Sequence, residues 1–298
     1  MRGRGQAILV VAVNAVLSVL VPPLSWLSGA ALALVTLRKG ATEGAVVIAG
    51  ALVGAALLAY LTVGSAMPAG SFLLVLWLPT WAVACVLRGT VSLATALESA
   101  AGLGLLAVLA LHLLLGDATG WWSELLLGQL RAVEAELEAQ QVEIIRGLIE
   151  YAVPYMTGLL VAAGLINLLI GLLFGRAWQA RLYNPGGFRR EFHALRLHRV
   201  TATVTAAVLL LVLVQGGPGL VTDLGAVLAV VYALAGLAAV HALVQLRGGG
   251  RVAWLVAVYL LLAIRLPEMT VALAALGLLN AWMDFGRLLG GKPGAADS

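Results

Sequence analysis

Ten apolar segments, most of them separated by short breaks that contain proline or glycine, make up most of this 298-residue chain. They lie at about 7–21, 24–37, 43–64, 70–87, 90–115, 151–175, 200–215, 219–246, 252–264 and 268–286. The longer segments reach the ~20 apolar residues that a helix needs to cross a bilayer. The first two and the last two are shorter, so each pair predicts either two tilted spans or a hairpin that enters the membrane part-way.

The composition excludes a soluble protein. Hydrophobic residues account for 62% of the chain and charged residues for only 11%, whereas an ordinary soluble domain has about 25% charged residues. A soluble fold cannot hide that much apolar surface, because much of its surface must face water. The sequence therefore predicts one all-α integral membrane domain over residues 1–298, a polytopic transmembrane helical bundle with about eight to ten membrane segments.

The basic residues give the orientation of this bundle. If residue 1 lies in the cytoplasm and all ten segments cross, all but three of the 18 lysines and arginines fall on the cytoplasmic side, as the positive-inside rule requires. The three exceptions are Arg131, Arg146 and Arg265, and most acidic residues, Asp223 among them, fall outside. We expect a multi-pass membrane protein with both termini in the cytoplasm. The net charge of +4 then reflects insertion topology and not nucleic-acid binding.

An outer polar insert covers residues 117–150. Its apolar residues recur at steps of three and four, which predicts an amphipathic helix whose other face is acidic. These residues are Leu126, Leu130, Val133, Leu137, Ile144 and Leu148. Such a helix is either a structural lid on the bundle, a gate over a ligand cavity or a surface for a partner.

A cytoplasmic basic insert covers residues 176–199. A turn signal at 184–187 precedes a short helix with phenylalanines on one face and arginines around it, a pattern that favours anionic headgroups. The candidates for docking to lipid or to a partner are Phe188, Arg189, Arg190, Phe192, Arg196 and Arg199. The alternative is a loop that only sets topology. His193 and His198 are five residues apart, a spacing that matches no metal-binding motif.

Ionisable residues inside a span are candidates for function because their charge is costly there. Glu98 lies ~13 Å from the inner end of the 90–115 segment, and His112 lies fourteen residues later, within ~40° of the same helix face and ~21 Å along it. The two side chains could line one face but could not touch. We predict a ligand or proton site at Glu98 and His112, with packing as the alternative. Asn167 and His241 are weaker candidates, since polar side chains within spans commonly bond neighbouring helices.

Several motifs for chemistry are absent from the sequence. It contains no His-Glu-x-x-His, no phosphate-binding glycine loop and no Gly-x-Ser-x-Gly. We therefore expect no catalysis, no cofactor and no bound metal. Small residues recur at four-residue spacing, as at Gly171 and Gly175, and permit close contact between helices.

Two stretches and the layout of the segments carry a resemblance to a known family. The stretches are Asn184-Pro185-Gly186-Gly187-Phe188-Arg189-Arg190-Glu191-Phe192 and Asn280-Ala281-Trp282-Met283-Asp284-Phe285-Gly286-Arg287. The chain resembles the YybS-like bacterial inner-membrane proteins, and looks distantly similar to S-components of energy-coupling-factor vitamin transporters and to the rod-shape protein MreD. The resemblance implies a membrane domain and transfers no catalytic residue. By analogy with S-components, Ala41, Ala45 and Ala49 would face a coupling subunit.

Two functions remain as hypotheses. The first is a membrane subunit that binds or transports a small molecule, with an outward cavity near Glu98, His112 and the outer helix. The second is a non-catalytic scaffold that recruits cytoplasmic or envelope partners through the basic insert and the outer helix. The ionisable residues in the spans slightly favour the first.

Overall fold

The computed structural model of the chain describes residues 3–246 and 250–283, and these residues form helices and turns without any strand. The helices are α1 (Arg4–Leu17), α2 (Leu24–Lys39), α3 (Ala41–Val63), α4 (Met67–Ser71), α5 (Leu78–Thr90), α6 (Leu93–Leu115), α7 (Ala118–Val133), α8 (Ala139–Ala152), α9 (Met156–Tyr183), α10 (Gly187–His193), α11 (Arg199–Gln215), α12 (Leu220–Leu246), α13 (Arg251–Ile264) and α14 (Leu266–Met283). A π-helical stretch, Phe72–Trp77, joins α4 to α5.

Each predicted apolar segment forms one helix, with α4 and α5 sharing the fourth. Six helical stretches in the described part of the chain are long and apolar enough to cross a membrane. They are Ala41–Thr62, Met67–Thr90, Leu93–Leu115, Ala139–Tyr183, Leu220–Leu246 and Leu266–Met283. The prediction of an all-α polytopic bundle is confirmed, and the protein has the architecture of an integral membrane protein.

The outer insert is a helical hairpin and not the single helix that its periodicity predicts. Helices α7 and α8 are separated at Glu134–Glu138, where Leu137 has an extended backbone. Glu134 and Glu138 would be like charges one turn apart in a continuous helix, which disfavours it. Glu138 instead starts α8 with a capping box, in which its backbone N–H donates to Gln141 Oε1 at 3.0 Å.

Helices α2 and α9 run parallel in one continuous register. Their contacts repeat every four residues: Ser25 with Asn167, Gly29 with Gly171, Ala33 with Gly175 and Leu37 with Gln179. A Cβ atom on Gly171 would lie 3.2 Å from the Gly29 Cα atom, so the two backbones touch. The predicted close helix contact at Gly171 and Gly175 is confirmed, and both glycines are needed for it.

The depth of the α1–α2 hairpin follows from this register. Ser25, at the start of α2, contacts Asn167, which lies eleven residues into α9, or ~16 Å along it. The turn before Ser25 exposes apolar side chains, with Val19 70% and Leu20 79% exposed. An apolar hairpin tip of this kind is stable in hydrocarbon and unfavourable in water. Of the two topologies open for the first helix pair, the structure favours the hairpin that enters the membrane part-way.

Polar contacts between helices distinguish a basic end and an acidic end of the bundle. The basic end carries the contacts of Arg4 with Glu43, Arg88 with the Leu37 carbonyl and Arg176 with Glu191. The acidic end carries those of His112 with Asp223 and of Trp122 with Thr157. Each of these contacts joins residues that the charge rule assigns to the same side of the membrane. The predicted charges at Arg2, Arg247, Asp284, Arg287 and Lys292 lie outside the described residues, as does the 284–287 part of the family-like stretch.

Candidate functional site

Helix α6 carries the two ionisable side chains that the sequence places on one face, Glu98 and His112. Both face the neighbouring helices α11 and α12. Glu98 contacts the start of α11 at the basic end, and His112 contacts Asp223 at the start of α12 at the acidic end. The shared face is therefore occupied at both of its ends by an acid–imidazole pair.

The pair at the acidic end is formed by His112 and Asp223. His112 Nε2 lies 2.8 Å from Asp223 Oδ2, and the Asp223 side chain is only 4% exposed. The backbone amide of Gly158, near the start of α9, faces the same carboxyl group. A Cβ atom at position 158 would lie 2.8 Å from the Asp223 Cα atom. Helices α9 and α12 can thus approach around this carboxyl group because residue 158 is a glycine.

Asp223 is a residue that the sequence analysis missed. We expected it among the acidic residues of the outer surface, yet it is buried between three helices. The available signal was its position, since Asp223 falls four residues inside the 219–246 apolar segment and not in the break before it. A buried carboxyl group is tolerated when a charged or polar partner satisfies it. His112 is that partner.

The outer hairpin is anchored beside this pair. Trp122 of α7 donates from its indole Nε1 to Thr157 Oγ1 at 3.0 Å, and both side chains are buried. Thr157 directly precedes Gly158. The hairpin therefore rests on the acidic end of the bundle through a bond one residue from the His112–Asp223 site.

The pair at the basic end is formed by Glu98 and His198. Glu98 Oε1 accepts from the His198 backbone N–H and from the Thr201 hydroxyl, each at 2.7 Å, and His198 Nδ1 lies 2.6 Å from Oε2. His198 precedes the first turn of α11. The carboxylate of α6 thus caps the amino end of a neighbouring helix, where the helix dipole favours negative charge.

Glu98 lies closer to the membrane end than the sequence predicts. Helix α6 begins at Leu93, so Glu98 is five residues, or ~7.5 Å, from its basic end and not ~13 Å. The helix begins there because Ser92 caps it, accepting from the Thr95 N–H at 3.2 Å, while Val91 breaks the preceding helix with a φ of 51°. Glu98 therefore lies at the opposite end of α6 from the outer hairpin.

Asn167 and His241 connect elements of the bundle. Asn167 Nδ2 donates to Ser25 Oγ at 2.6 Å, and its Oδ1 has no hydrogen-bond partner in the described part of the chain. His241 Nδ1 lies 2.9 Å from the Leu237 carbonyl oxygen, and its Nε2 lies 3.3 Å from the Tyr259 hydroxyl. The ring of Phe192 packs edge-on against His241. His241 thus holds the basic insert to α12 and α13.

The docking candidates of the basic insert divide into two groups. Phe188 and Phe192 stack on each other, Phe192 packs on the core, and Arg196 donates to the carbonyls of Asn280 and Ala281 at the end of α14, at 3.1 and 3.3 Å. The other group, Arg189, Arg190 and Arg199, is exposed. The apolar side of α10 is therefore turned to the chain's own bundle, and the exposed face is cationic.

His193 lies on the packed side of the basic insert. Burial lowers the pKa of its imidazole, and Arg189 and His241 act in the same direction. His193 therefore stays neutral further below neutral pH than a solvated histidine does.

Residues 3–246 and 250–283 contain no group of three or more His, Cys, Asp or Glu side chains that could hold a metal ion. No protein-family model, curated protein or solved structure matches this chain. The resemblance to YybS-like proteins stays a prediction that depends on the two stretches and the layout. The fold and the site define a class: a helical integral membrane protein with an acid–imidazole pair at each end of α6.

Proposed function

We propose that this protein is a transport-related subunit of the bacterial inner membrane, with both termini in the cytoplasm, in which proton binding at two acid–imidazole pairs is linked to the movement of a small molecule. One observation carries the proposal: His112–Asp223 and Glu98–His198 lie at opposite ends of the same helix, and they tie it to α12 and to the start of α11, respectively. Ionisable residues held inside a membrane bundle commonly mark proton or ligand pathways.

Each pair joins one carboxyl group to one imidazole ring. An aspartate or glutamate next to a histidine holds its partner most strongly when one group is an anion and the other a cation, and the attraction falls when a second proton neutralises the carboxylate. At the acidic end, the group facing Asp223 from α6 is His112, and from α9 it is the Gly158 amide. At the basic end, Glu98 faces His198 and Thr201, and Tyr232 of α12 bonds Thr201 at 3.4 Å.

The interface between the pairs consists of small and aliphatic residues. Ala101, Gly104 and Val108 of α6 are buried, as are Val227 and Val231 of α12. A Cβ atom on Gly104 would lie 2.7 Å from Val227 Cγ1, so the helices approach closely there. Polar pairs whose attraction depends on protonation, at the two ends of an apolar interface, are suited to a rocking motion of α6 against its neighbours.

The test is a pair of spin labels on α6 and α12, in a Cys85→Ser background in lipid nanodiscs. Leu113 of α6 and Leu220 of α12 are 84% and 38% exposed and lie at the acidic end. We expect the distance distribution to shift between pH 8 and pH 5, and Asp223→Asn to hold one distribution at both values. Glu268→Gln, an exposed acid on α14, is the matched control and keeps the shift. A distribution that ignores pH, or a shift that survives Asp223→Asn, would contradict the proposal.

The exposed cationic face of the basic insert favours a second candidate function, a scaffold for a cytoplasmic partner. Arg189, Arg190 and Arg199 remain exposed after α10 has packed on the bundle. An Arg189→Glu/Arg190→Glu variant should lose a partner that co-purifies with the native chain. Unchanged association would count against this function.

A further inference from the structure

A second candidate site lies at the basic end, between the ends of α2, α5 and α9, and it does not depend on the pairs of α6. It is a cavity of about 280 Å³ that opens to the surface. Its lining residues are Leu37, Leu87, Arg88, Val91, Arg176 and Gln179. Two guanidinium groups and one amide are thus set among three aliphatic side chains.

The two arginines of this cavity differ in how far their charge is compensated. Arg176 is 14% exposed; it binds both carboxylate oxygens of Glu191 and donates to Gln179 Oε1 at 2.7 Å. Arg88 donates from Nη1 to the Leu37 carbonyl at 2.5 Å. No carboxylate of residues 3–246 and 250–283 forms an ion pair with Arg88. The cavity therefore contains an uncompensated positive charge whose side chain is held at one point and has N–H groups left to donate.

The wall of the cavity is strained at Val91. This residue has φ 51° and ψ 26°, the left-handed conformation, which a β-branched side chain rarely adopts. A glycine would end α5 there without strain, as one does at the end of α3 and α11. Strained residues of this kind persist where the surroundings hold them, and they concentrate at ligand sites. Val91 lines the cavity beside Arg88, and 75% of the residue is exposed.

We propose that this cavity binds the phosphate group of an anionic ligand, with Arg88 as the direct donor. A planar guanidinium matches two phosphate oxygens with two parallel N–H groups. Arg176, whose charge Glu191 compensates, lines the same cavity in a position that Glu191 and Gln179 fix. Leu37, Leu87 and Val91 would contact the apolar part of the ligand. The same phosphate chemistry occurs in a phospholipid headgroup and in a soluble phosphate ester.

The experiment has two arms on the full chain. In the first, native mass spectrometry measures retention of phosphatidylglycerol against phosphatidylcholine; in the second, calorimetry measures binding of glycerol 3-phosphate in detergent. We expect binding in one arm and an at least tenfold weaker affinity for Arg88→Gln in that arm, which identifies the source of the phosphate. Arg189→Gln, an exposed arginine at the same end, is the matched control and should bind as the native chain does.

Arg88→Lys provides a second variant that keeps the charge and loses the paired donors. Its affinity should lie between that of the native chain and that of Arg88→Gln. If Arg88→Gln does not fold, Arg88→Lys is the variant compared with the native chain. The proposal is overturned if the native chain neither retains phosphatidylglycerol in preference to phosphatidylcholine nor binds glycerol 3-phosphate. It is equally overturned if Arg88→Gln and Arg189→Gln bind alike, or if Arg88→Lys binds as the native chain does.

Discussion

His112 of α6 and Asp223 of α12 form a 2.8 Å contact between two helices that are more than a hundred residues apart in the chain. The Asp223 side chain is buried, and the His112 side chain is partly exposed. Because the outer hairpin is bonded to Thr157 next to it, this one contact joins the outer insert, α6, α9 and α12. It is the point where a change of protonation would reach the largest part of the acidic end.

Replacing Asp223 by asparagine should destabilise the bundle. The variant keeps the shape but leaves His112 without its anionic partner, and breaking a buried hydrogen-bonded pair of this kind costs about 1–3 kcal/mol. We expect a lower Tm in detergent, measured by tryptophan fluorescence. Glu268→Gln removes an acid whose side chain is 61% exposed in its pair with Arg265, and it should leave the Tm within error. Equal losses in the two variants would contradict the structural role of Asp223.

Gly171→Ala should separate α2 from α9. The added methyl group would lie 3.2 Å from the Gly29 Cα and 3.3 Å from the Ala30 backbone nitrogen, and backbone atoms of a packed helix cannot move aside independently. We expect a lower Tm and faster proteolysis of the α1–α2 hairpin.

Gly102→Ala is the control for that change. Gly102 lies in α6 with open space where its Cβ would be, so alanine there should be neutral or slightly stabilising through its higher helix propensity, by up to about 1 kcal/mol. A Gly102→Ala variant as unstable as Gly171→Ala would show that the α2–α9 contact is not the cause.

Accessibility to a membrane-impermeant maleimide should separate the hairpin tip from the true loops. In a Cys85→Ser background, we expect Leu20→Cys to stay unlabelled from either side, because a hairpin that enters the membrane part-way would place this turn in hydrocarbon. Glu136→Cys, in the outer hairpin, should be labelled only from outside, and Arg189→Cys only from the cytoplasmic side. Labelling of Leu20→Cys from outside would instead indicate that α1 and α2 cross completely.

The basic insert should loosen in acid. Burial depresses the folded-state pKa of His193, so the unfolded segment binds the proton more readily, and stability rises with pH through the window between the two pKa values. The stabilisation is therefore present above the unfolded pKa of about 6.5 and is lost as the pH falls towards the folded pKa. The hydrogen-exchange protection factors of residues 187–198, which correct for the intrinsic pH dependence of amide exchange, should be lower at pH 5.5 than at pH 7.5. His193→Phe should remove most of that difference, whereas Arg190→Gln, which changes an exposed side chain, should keep it.

The elements could be predicted from the sequence because helix formation in an apolar segment is a local property. Each apolar segment became a helix, since backbone groups in hydrocarbon must be satisfied within their own segment. The arginines and the acidic residues reported the two ends of the bundle without any knowledge of packing. The shared face of Glu98 and His112 also follows from helix geometry alone.

Pairing between helices, in contrast, was decided only by the tertiary structure. Nothing in the sequence next to Asp223 indicates that His112 will lie against it, and nothing next to Glu98 indicates that it will cap α11. The register of α2 against α9, which favours a part-way hairpin, became visible only through contacts such as that of Ser25 with Asn167. Hydropathy reports the free energy of transferring one segment from water to lipid. This free energy is nearly the same for every apolar helix. The choice of neighbours depends on close contacts at glycines and on a few polar pairs, and those are set by three-dimensional fit.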